Sequence, residues 1–235
     1  MPDALWRPSI SVVVPAHNEA RSLEATVRGT LRVLHDMDVD HELVVVDDGS
    51  RDGTGALCTR LMTEAPALRL AAHDRNEGYG RAVWTGIQCC RKDVIVLLPA
   101  DLQYSFHEIP RLVALTADCD IVAGCRVSRA DPFVRRLNAR CWGVLVRTVV
   151  GVRVQDVNGG FKVFRRSVFD GLEMRATGAM IDTEIFARTA RRGARILETP
   201  VEHHPRRAGR ATGARPSVIL RSCCELLTLY RELRR

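Results

Sequence analysis

The stretch VVVPAHNEA, residues 12–20, decides the fold. A short β-branched run beginning at Ile10 stops at Pro15 and is followed by Asn18 and Glu19. Apolar residues at helical spacing then run from Ala20 to His35. Residues 44–54, VVVDDGSRDGT, repeat the pattern: an apolar run over 43–46, an acidic glycine loop over 47–50, and a predicted helix over 53–64. Working outward, 68–72 reads as a weaker strand, 79–90 as a helix and 94–98 as a strongly apolar strand ending at Pro99-Ala100-Asp101. Continuous β-branched runs alternating with helices indicate a parallel sheet covered on both faces, an α/β architecture. Such sheets collect ligands at the carboxyl ends of their strands. Asn18, Glu19, Asp47, Asp48, Asn76 to Gly80 and Asp101 all follow strand ends, so the pattern predicts that they share one rim.

Beyond residue 120 the pattern becomes mixed. Short strands are predicted over 121–123 and 161–164 around a helical stretch over 133–149. A helix over 181–192, a strand over 196–201 and an amphipathic helix over 216–232 complete the chain. The reading is one domain over 1–235: a nucleotide half over about 8–125, an acceptor half over about 126–213 and a terminal helix over 214–235.

With 235 residues, 46% of them apolar and 27% charged, the chain is long enough for a full α/β core. The net charge of +7 arises largely from paired arginines in the second half, which suits phosphate or anionic lipid. Aromatic residues are only 5%, and no zinc-finger or helix-turn-helix signature accompanies the charge, so nucleic acid is not expected. Eight cysteines without C-x-x-C or zinc-ligand spacing read as thiols in a reducing cytosol. No signal peptide and no run of about 18 apolar residues is present, which predicts a cytoplasmic protein, soluble or peripheral at the membrane face.

A carboxylate at a strand end accepts hydrogen bonds from a nucleobase edge or a ribose hydroxyl, which makes Asp47 or Asp48 a candidate nucleoside contact. Either could equally cap the helix that follows. In HDRNEGYGRAVWTGI, residues 73–87, Asn76, Gly78 and Gly80 precede a helix, where small residues allow tight turns or close approach to phosphate.

These segments together resemble glycosyltransferase family 2, particularly its dolichol-phosphate mannose synthase and dolichyl-phosphate glucose synthase branch. The resemblance runs from residue 10 to about 213 and implies a GT-A fold, Rossmann-like with a mixed acceptor-side half. It implies nucleotide-sugar contacts from Pro15, Ala16, Glu19, Asp47, Asp48, Asn76, Gly78, Gly80 and Asp101. Where the family usually carries Asp-x-Asp for Mg²⁺ or Mn²⁺, this chain has Pro99-Ala100-Asp101. Asp101, helped by the Gln103 amide oxygen, remains as the candidate metal site. The alternatives are a metal-independent site neutralised by arginines, or a chain that binds nucleotide sugar without catalysis.

AGCRVSR, residues 123–129, and the pair Arg135 and Arg136 match a region where the family places arginines toward phosphate. QDVNGGFKVFRR, residues 155–166, resembles its D-x-x-x-G-F-K segment through Asp156, Gly160, Phe161 and Lys162. Asp182 and Glu184 match its D-x-E helix, and Arg206 and Gly209 match its R-x-x-G loop. The implied reaction is inverting transfer of a hexose from a UDP- or GDP-sugar to a polyprenyl phosphate. Asp101 and arginines would stabilise departing charge, and Arg126, Arg135, Arg136 and Arg206 would hold the acceptor phosphate. A hydroxyl acceptor would instead need a base, for which Asp182 or Glu184 are the candidates and His203 or His204 outsiders. No G-x-G-x-x-G follows the first strand, which disfavours a dinucleotide oxidoreductase. The terminal helix, apolar on one side and arginine-rich on the other, could pack on its own domain, pair with a second copy in a homodimer, or lie on an anionic membrane.

Overall fold

The computed structural model describes residues 6–126, 151, 154–205 and 216–233, with side chains of the last helix described from residue 225. Arg135, Arg136, Arg206, Gly209 and the helix predicted over 133–149 lie outside the described residues.

Seven strands form one sheet: β1 (Ile10–Ala16), β2 (His41–Asp47), β3 (Leu68–Ala72), β4 (Val94–Leu97), β5 (Ile121–Arg126), β6 (Lys162–Arg165) and β7 (Ile196–Val201). Their order is β3-β2-β1-β4-β6-β5-β7. β1 to β4 pair in parallel, β6 runs antiparallel to both β4 and β5, and β5 and β7 are again parallel. The helices are α1 (Ala20–Asp36), α2 (Thr54–Met62), α3 (Tyr79–Cys89), α4 (Ile109–Ala114), α5 (Ile181–Arg191) and α6 (Pro216–Leu233).

The strands follow from β-branched residues buried on both faces, one cluster built on Val13, Val44, Ile95 and Phe164 and the other on Val12, Val14, Val45 and Val96. Both clusters draw on β1–β4 and on β5–β7, so one sheet carries both halves of the chain.

β1 continues through Pro15 to Ala16, past the stop predicted there. Val13 accepts from the Leu98 N–H on the β4 side, while Ala16 accepts from the Asp48 N–H on the β2 side. By alternation the Pro15 nitrogen faces β4 just beyond the end of that pairing, where no ladder bond is lost. α4, with the turns flanking it, was not among the predicted elements; at six residues it is too short to show a helical period.

The reversal at β6 positions the site. Because β6 is antiparallel, its amino end, at Lys162, lies beside the carboxyl end of β4, with Leu97 opposite Lys162. The segment Asp156–Phe161 therefore joins the rim formed by the ends of β1, β2 and β4, and Arg126 and Val201 end β5 and β7 at that same rim.

α6 is held against its own domain. Leu226, Leu229 and Leu233 are buried in the core cluster beside α3 and α5, while Leu227 is exposed. Of the three placements open in the sequence, intramolecular packing accounts for these three residues. Among the described residues no helix is long and apolar enough to cross a membrane.

Candidate active site

The loops after β1 and β2 are laced together by side chains that bond to backbone. Ser50 Oγ accepts from Asn18 N at 2.9 Å, Asn18 Oδ1 from Arg51 N at 2.9 Å and Thr54 Oγ1 from Glu19 N at 3.0 Å. Asn18 adopts φ +56°, a left-handed geometry that asparagine tolerates. Pro15 and Ala16 are buried in β1, and Glu19 is half-buried at the start of α1.

The two adjacent aspartates have different surroundings. Asp47 Oδ1 accepts from Ser50 N at 3.0 Å, and its Oδ2 lies 2.6 Å from where a Cβ on Gly55 would stand. Asp48, 2% exposed, accepts from Glu77 N at 2.8 Å and Gly78 N at 2.9 Å, and His73 Nδ1 lies 2.8 Å from its Oδ1. Asp48 thus pins the turn that leads into α3. Sequence reasoning missed His73, although it directly follows β3 and so occupies a strand-end position like the others.

Gly78 in that turn and Gly80 in the first turn of α3 both lie close against protein backbone. Gly78 has φ +107°, and a Cβ there would fall 2.4 Å from the Thr177 carbonyl oxygen. A Cβ on Gly80 would fall 2.6 Å from the carbonyl oxygens of both Ala176 and Gly178. Gly80 N donates to Thr177 O at 2.9 Å. The small residues therefore let the loop over 176–178 close on the turn; this is a backbone-to-backbone approach that the sequence offered no means of telling from an approach to phosphate. Asn76 is exposed beside them.

After β4, Asp101 is half-buried and accepts from Gln103 N at 3.1 Å. Leu102 between them has φ +58°, an uncommon geometry for a branched residue and one that concentrates at functional sites. Gln103 Nε2 donates to the His204 carbonyl at 3.3 Å and His204 N to the Gln103 carbonyl at 2.8 Å, tying the loop to the end of β7. Pro99 packs on Gly160, where a Cβ would lie 2.6 Å from Pro99 Cγ. Gly160 N donates to Tyr104 Oη at 2.9 Å. Burial pushes the Tyr104 phenol up to about 12, so it stays protonated. No sequence motif had singled out Tyr104.

Among the described residues no cluster of three or more His, Cys, Asp or Glu side chains is arranged to hold a metal ion. The oxygen donors available, the Asp101 carboxylate and the Gln103 amide, nonetheless suit a hard divalent cation that takes its other ligands from diphosphate and water.

Among the described residues, the arginine and the two helix carboxylates named as candidates are paired. Arg126 binds Asp156 in a fork, Nε to Oδ2 at 2.7 Å and Nη2 to Oδ1 at 2.8 Å. Asp182, 3% exposed, lies 2.9 Å from Lys162 Nζ, which also donates to the Gly159 carbonyl. Burial raises the Asp182 carboxyl above its ordinary value, against the opposing pull of Lys162. Glu184, also 3% exposed, accepts from Arg175 N at 3.0 Å, Ala176 N at 2.7 Å and Arg188 Nε at 2.7 Å. Both carboxylates named as candidate bases are thus enclosed and bonded within the protein. His203 forms an isolated β-bridge with Tyr104 and stacks edge-on with its ring at 5.1 Å, while His204 is exposed.

Residues 11–172, more than half of the chain, match the profile of Glycosyl transferase family 2. The chain belongs to that family. An undecaprenyl-phosphate 4-deoxy-4-formamido-L-arabinose transferase of Sodalis glossinidius is 33% identical over 206 residues, covering 85% of this chain and 61% of that protein. Its counterpart in Pseudomonas fluorescens strain Pf0-1 is 32% identical over 206 residues, covering 85% and 58%. The chain thus spans about three fifths of the length of these curated relatives. Among solved structures, glucosyl-3-phosphoglycerate synthase from Mycobacterium tuberculosis in complex with Mg²⁺ and UDP superposes with a TM-score of 0.75 at 22% identity, covering 95% of this chain and 80% of that one. A mannosyltransferase from Pyrobaculum calidifontis in complex with GDP-Man and Mn²⁺ gives 0.62 at 21% identity, covering 99% and 76%. These likenesses establish the GT-A fold that the sequence predicts.

Proposed function

We propose that this chain transfers a hexose, with inversion, from a UDP- or GDP-sugar to a polyprenyl phosphate. The observation that carries the reading is the gathering on one rim of the turn pinned by Asp48, the Asp101 loop and the Arg126–Asp156 pair. The names of the family relatives, which are undecaprenyl-phosphate sugar transferases, support the acceptor class.

In this reading the buried ends of β1 and β2, with Pro15, Ala16, Glu19 and Asp47, receive the nucleoside. Asp48 acts by shaping the neighbouring turn, at Asn76, Gly78 and Gly80, and keeps at most one acceptor position for a ligand. Asp101, with the Gln103 amide oxygen, holds Mg²⁺ or Mn²⁺, which when bound offsets negative charge on the diphosphate. Pro99 removes one carboxylate from this loop, so metal affinity is lower than an Asp-x-Asp loop would give.

A phosphate acceptor is already ionised at neutral pH and requires no strong base, which agrees with Asp182 and Glu184 being enclosed and paired. Arg126, oriented by Asp156, is proposed to face the acceptor phosphate, with Arg135, Arg136 and Arg206 as its companions on the acceptor half. Their charge would also favour contact with an anionic membrane surface.

The test is calorimetric titration with UDP, GDP, CDP and dTDP, each with and without Mn²⁺, followed by transfer from the matching sugar nucleotide to undecaprenyl phosphate. Tight binding of one diphosphate dependent on metal, and product that partitions into organic solvent, are expected. Binding of no nucleotide would overturn the reading.

A further inference from the structure

Glu184 stands in the middle of a chain of contacts that runs from the terminal helix to the nucleotide side of the rim. Its Oε2 accepts from the backbone N–H groups of Arg175 and Ala176, and its Oε1 accepts from Arg188. Arg188 Nη2 also donates to Glu232 on α6 at 2.6 Å, and a second Glu232 oxygen accepts from Arg175 Nη1 at 2.6 Å. A cleft of about 230 Å³ between α5 and α6 is lined by Arg175, Ala176, Glu184, Glu225 and Glu232, so the network borders open space.

The loop held in this way touches the nucleotide turn directly. Its Ala176, Thr177 and Gly178 carbonyls are the groups against which Gly78 and Gly80 close, and Thr177 O accepts the Gly80 N–H. The same turn is also tied to Asp48 through Glu77 N and Gly78 N. Two buried carboxylates, far apart in sequence, therefore hold one turn. Asp48 does so directly, and Glu184 through an intervening loop.

We infer that Glu184 is a positioning residue for the nucleotide-binding turn, and that α6 takes part in the clamp through Glu232. The inference rests on reading the rim as a nucleotide-sugar site. Releasing Arg175 N and Ala176 N would let the 176–178 loop drift from Gly78 and Gly80, loosening the turn before any bond in the donor is touched. The consequence falls on donor affinity; a general base would instead affect turnover and its pH dependence.

The experiment compares the full-length wild type with Glu184→Gln and Glu232→Gln. Titration with UDP and GDP in Mn²⁺ gives Kd, and hydrolysis of UDP-glucose or GDP-mannose across pH gives KM and kcat. For Glu184→Gln a rise of about tenfold in Kd and KM is expected, with kcat changed less than about twofold and its pH profile keeping its shape. For Glu232→Gln, at the outer end of the network, the same pattern at about threefold is expected; it keeps the test open if Glu184→Gln does not fold. An unchanged Kd in a folded variant, or a collapse of kcat with loss of one limb of the pH profile, would overturn the clamp while leaving the nucleotide site in place. Failure of the wild type to bind either diphosphate would overturn both.

Discussion

The two ends of the parallel strands are built from the same residue types put to different uses. At the amino end, Glu42 accepts from Ser11 Oγ, Arg69 Nη1 and Arg91 N, each at 2.7 Å, and Asp93 and Ser9 exchange bonds between β1 and β4. Each of these contacts joins neighbouring strands or the turns leading into them. At the carboxyl end the chain departs from ordinary geometry: Asn18, Gly78 and Leu102 have positive φ, and Asp101 is half-buried, with Gln103 N as its hydrogen-bond donor. Satisfied polar groups at the amino end fix the register, whereas at the carboxyl end the left-handed Leu102 and the half-buried Asp101 sit where the ligand is proposed to bind.

This contrast is broken most sharply at Asp101. Asp101→Ala is expected to lower transfer by about a thousandfold or more. Its far-UV circular dichroism and melting temperature should match those of the wild type, since among the described residues the side chain gives up a single hydrogen bond, the one from Gln103 N. An active Asp101→Ala enzyme would refute the metal assignment.

The rim also contains a buried ion pair, so the division between the two strand ends is not absolute. Lys162 and Asp182 are 1% and 3% exposed and bonded to each other. Lys162→Met is expected to cost about 3–5 kcal/mol by leaving Asp182 buried and unpaired, whereas Lys162→Met with Asp182→Leu should recover most of that loss. Urea unfolding midpoints of the three proteins check this. A double variant as unstable as the single one would mean that the Lys162 bond to the Gly159 carbonyl, rather than the ion pair, is what matters.

What could be read in advance follows from how local each signal is. The runs at Ile10, Leu43 and Val94 fix three central strands because burial on both faces requires β-branched residues in succession, and the strand-end rule then places Asp48 and Asp101 on one rim. The antiparallel turn of β6 was not legible, since nothing in GGFKVF states which neighbour it pairs with. The fates of Asp182 and Glu184 depend on Lys162, Arg175 and Ala176, contacts made only once the sheet is assembled. A D-x-E spacing on a helix is equally compatible with a base and with a clamp. At Gly78 and Gly80 the sequence pointed to tight turns and close approach to phosphate, and the approach seen is that of the Ala176, Thr177 and Gly178 carbonyls.

The amino end can be probed at Glu42. Burial draws its carboxyl upward, but bonds from Ser11, Arg69 and the Arg91 N–H outweigh this and hold it below its ordinary 4.5. A carboxylate depressed in the folded state contributes stability that is complete above 4.5 and fades as pH falls toward the folded value. Glu42→Ala is therefore expected to lose about 2 kcal/mol at neutral pH, to show a weaker dependence on acid than the wild type, and to leave nucleotide affinity unchanged. Urea midpoints at neutral pH and near pH 4, with a diphosphate titration beside them, test all three.

The smallest effect is expected on the outer surface, where charges are numerous and solvated. Glu24 on α1 meets Arg28 at 3.0 Å and Arg60 at 3.1 Å, and Arg28 reaches Glu64 at 2.7 Å, so four exposed side chains link α1 to α2 and the turn after it. Water and salt screen such pairs, and ordering four long side chains offsets what attraction remains. Glu24→Gln should leave activity unaltered and shift the urea midpoint only at low ionic strength, with the difference vanishing in about 1 M salt. A midpoint shift that persisted in high salt would mean that these residues contribute through the packing of α1 on α2 rather than through charge. The ordering of effects from rim to surface would then have to be redrawn around helix packing.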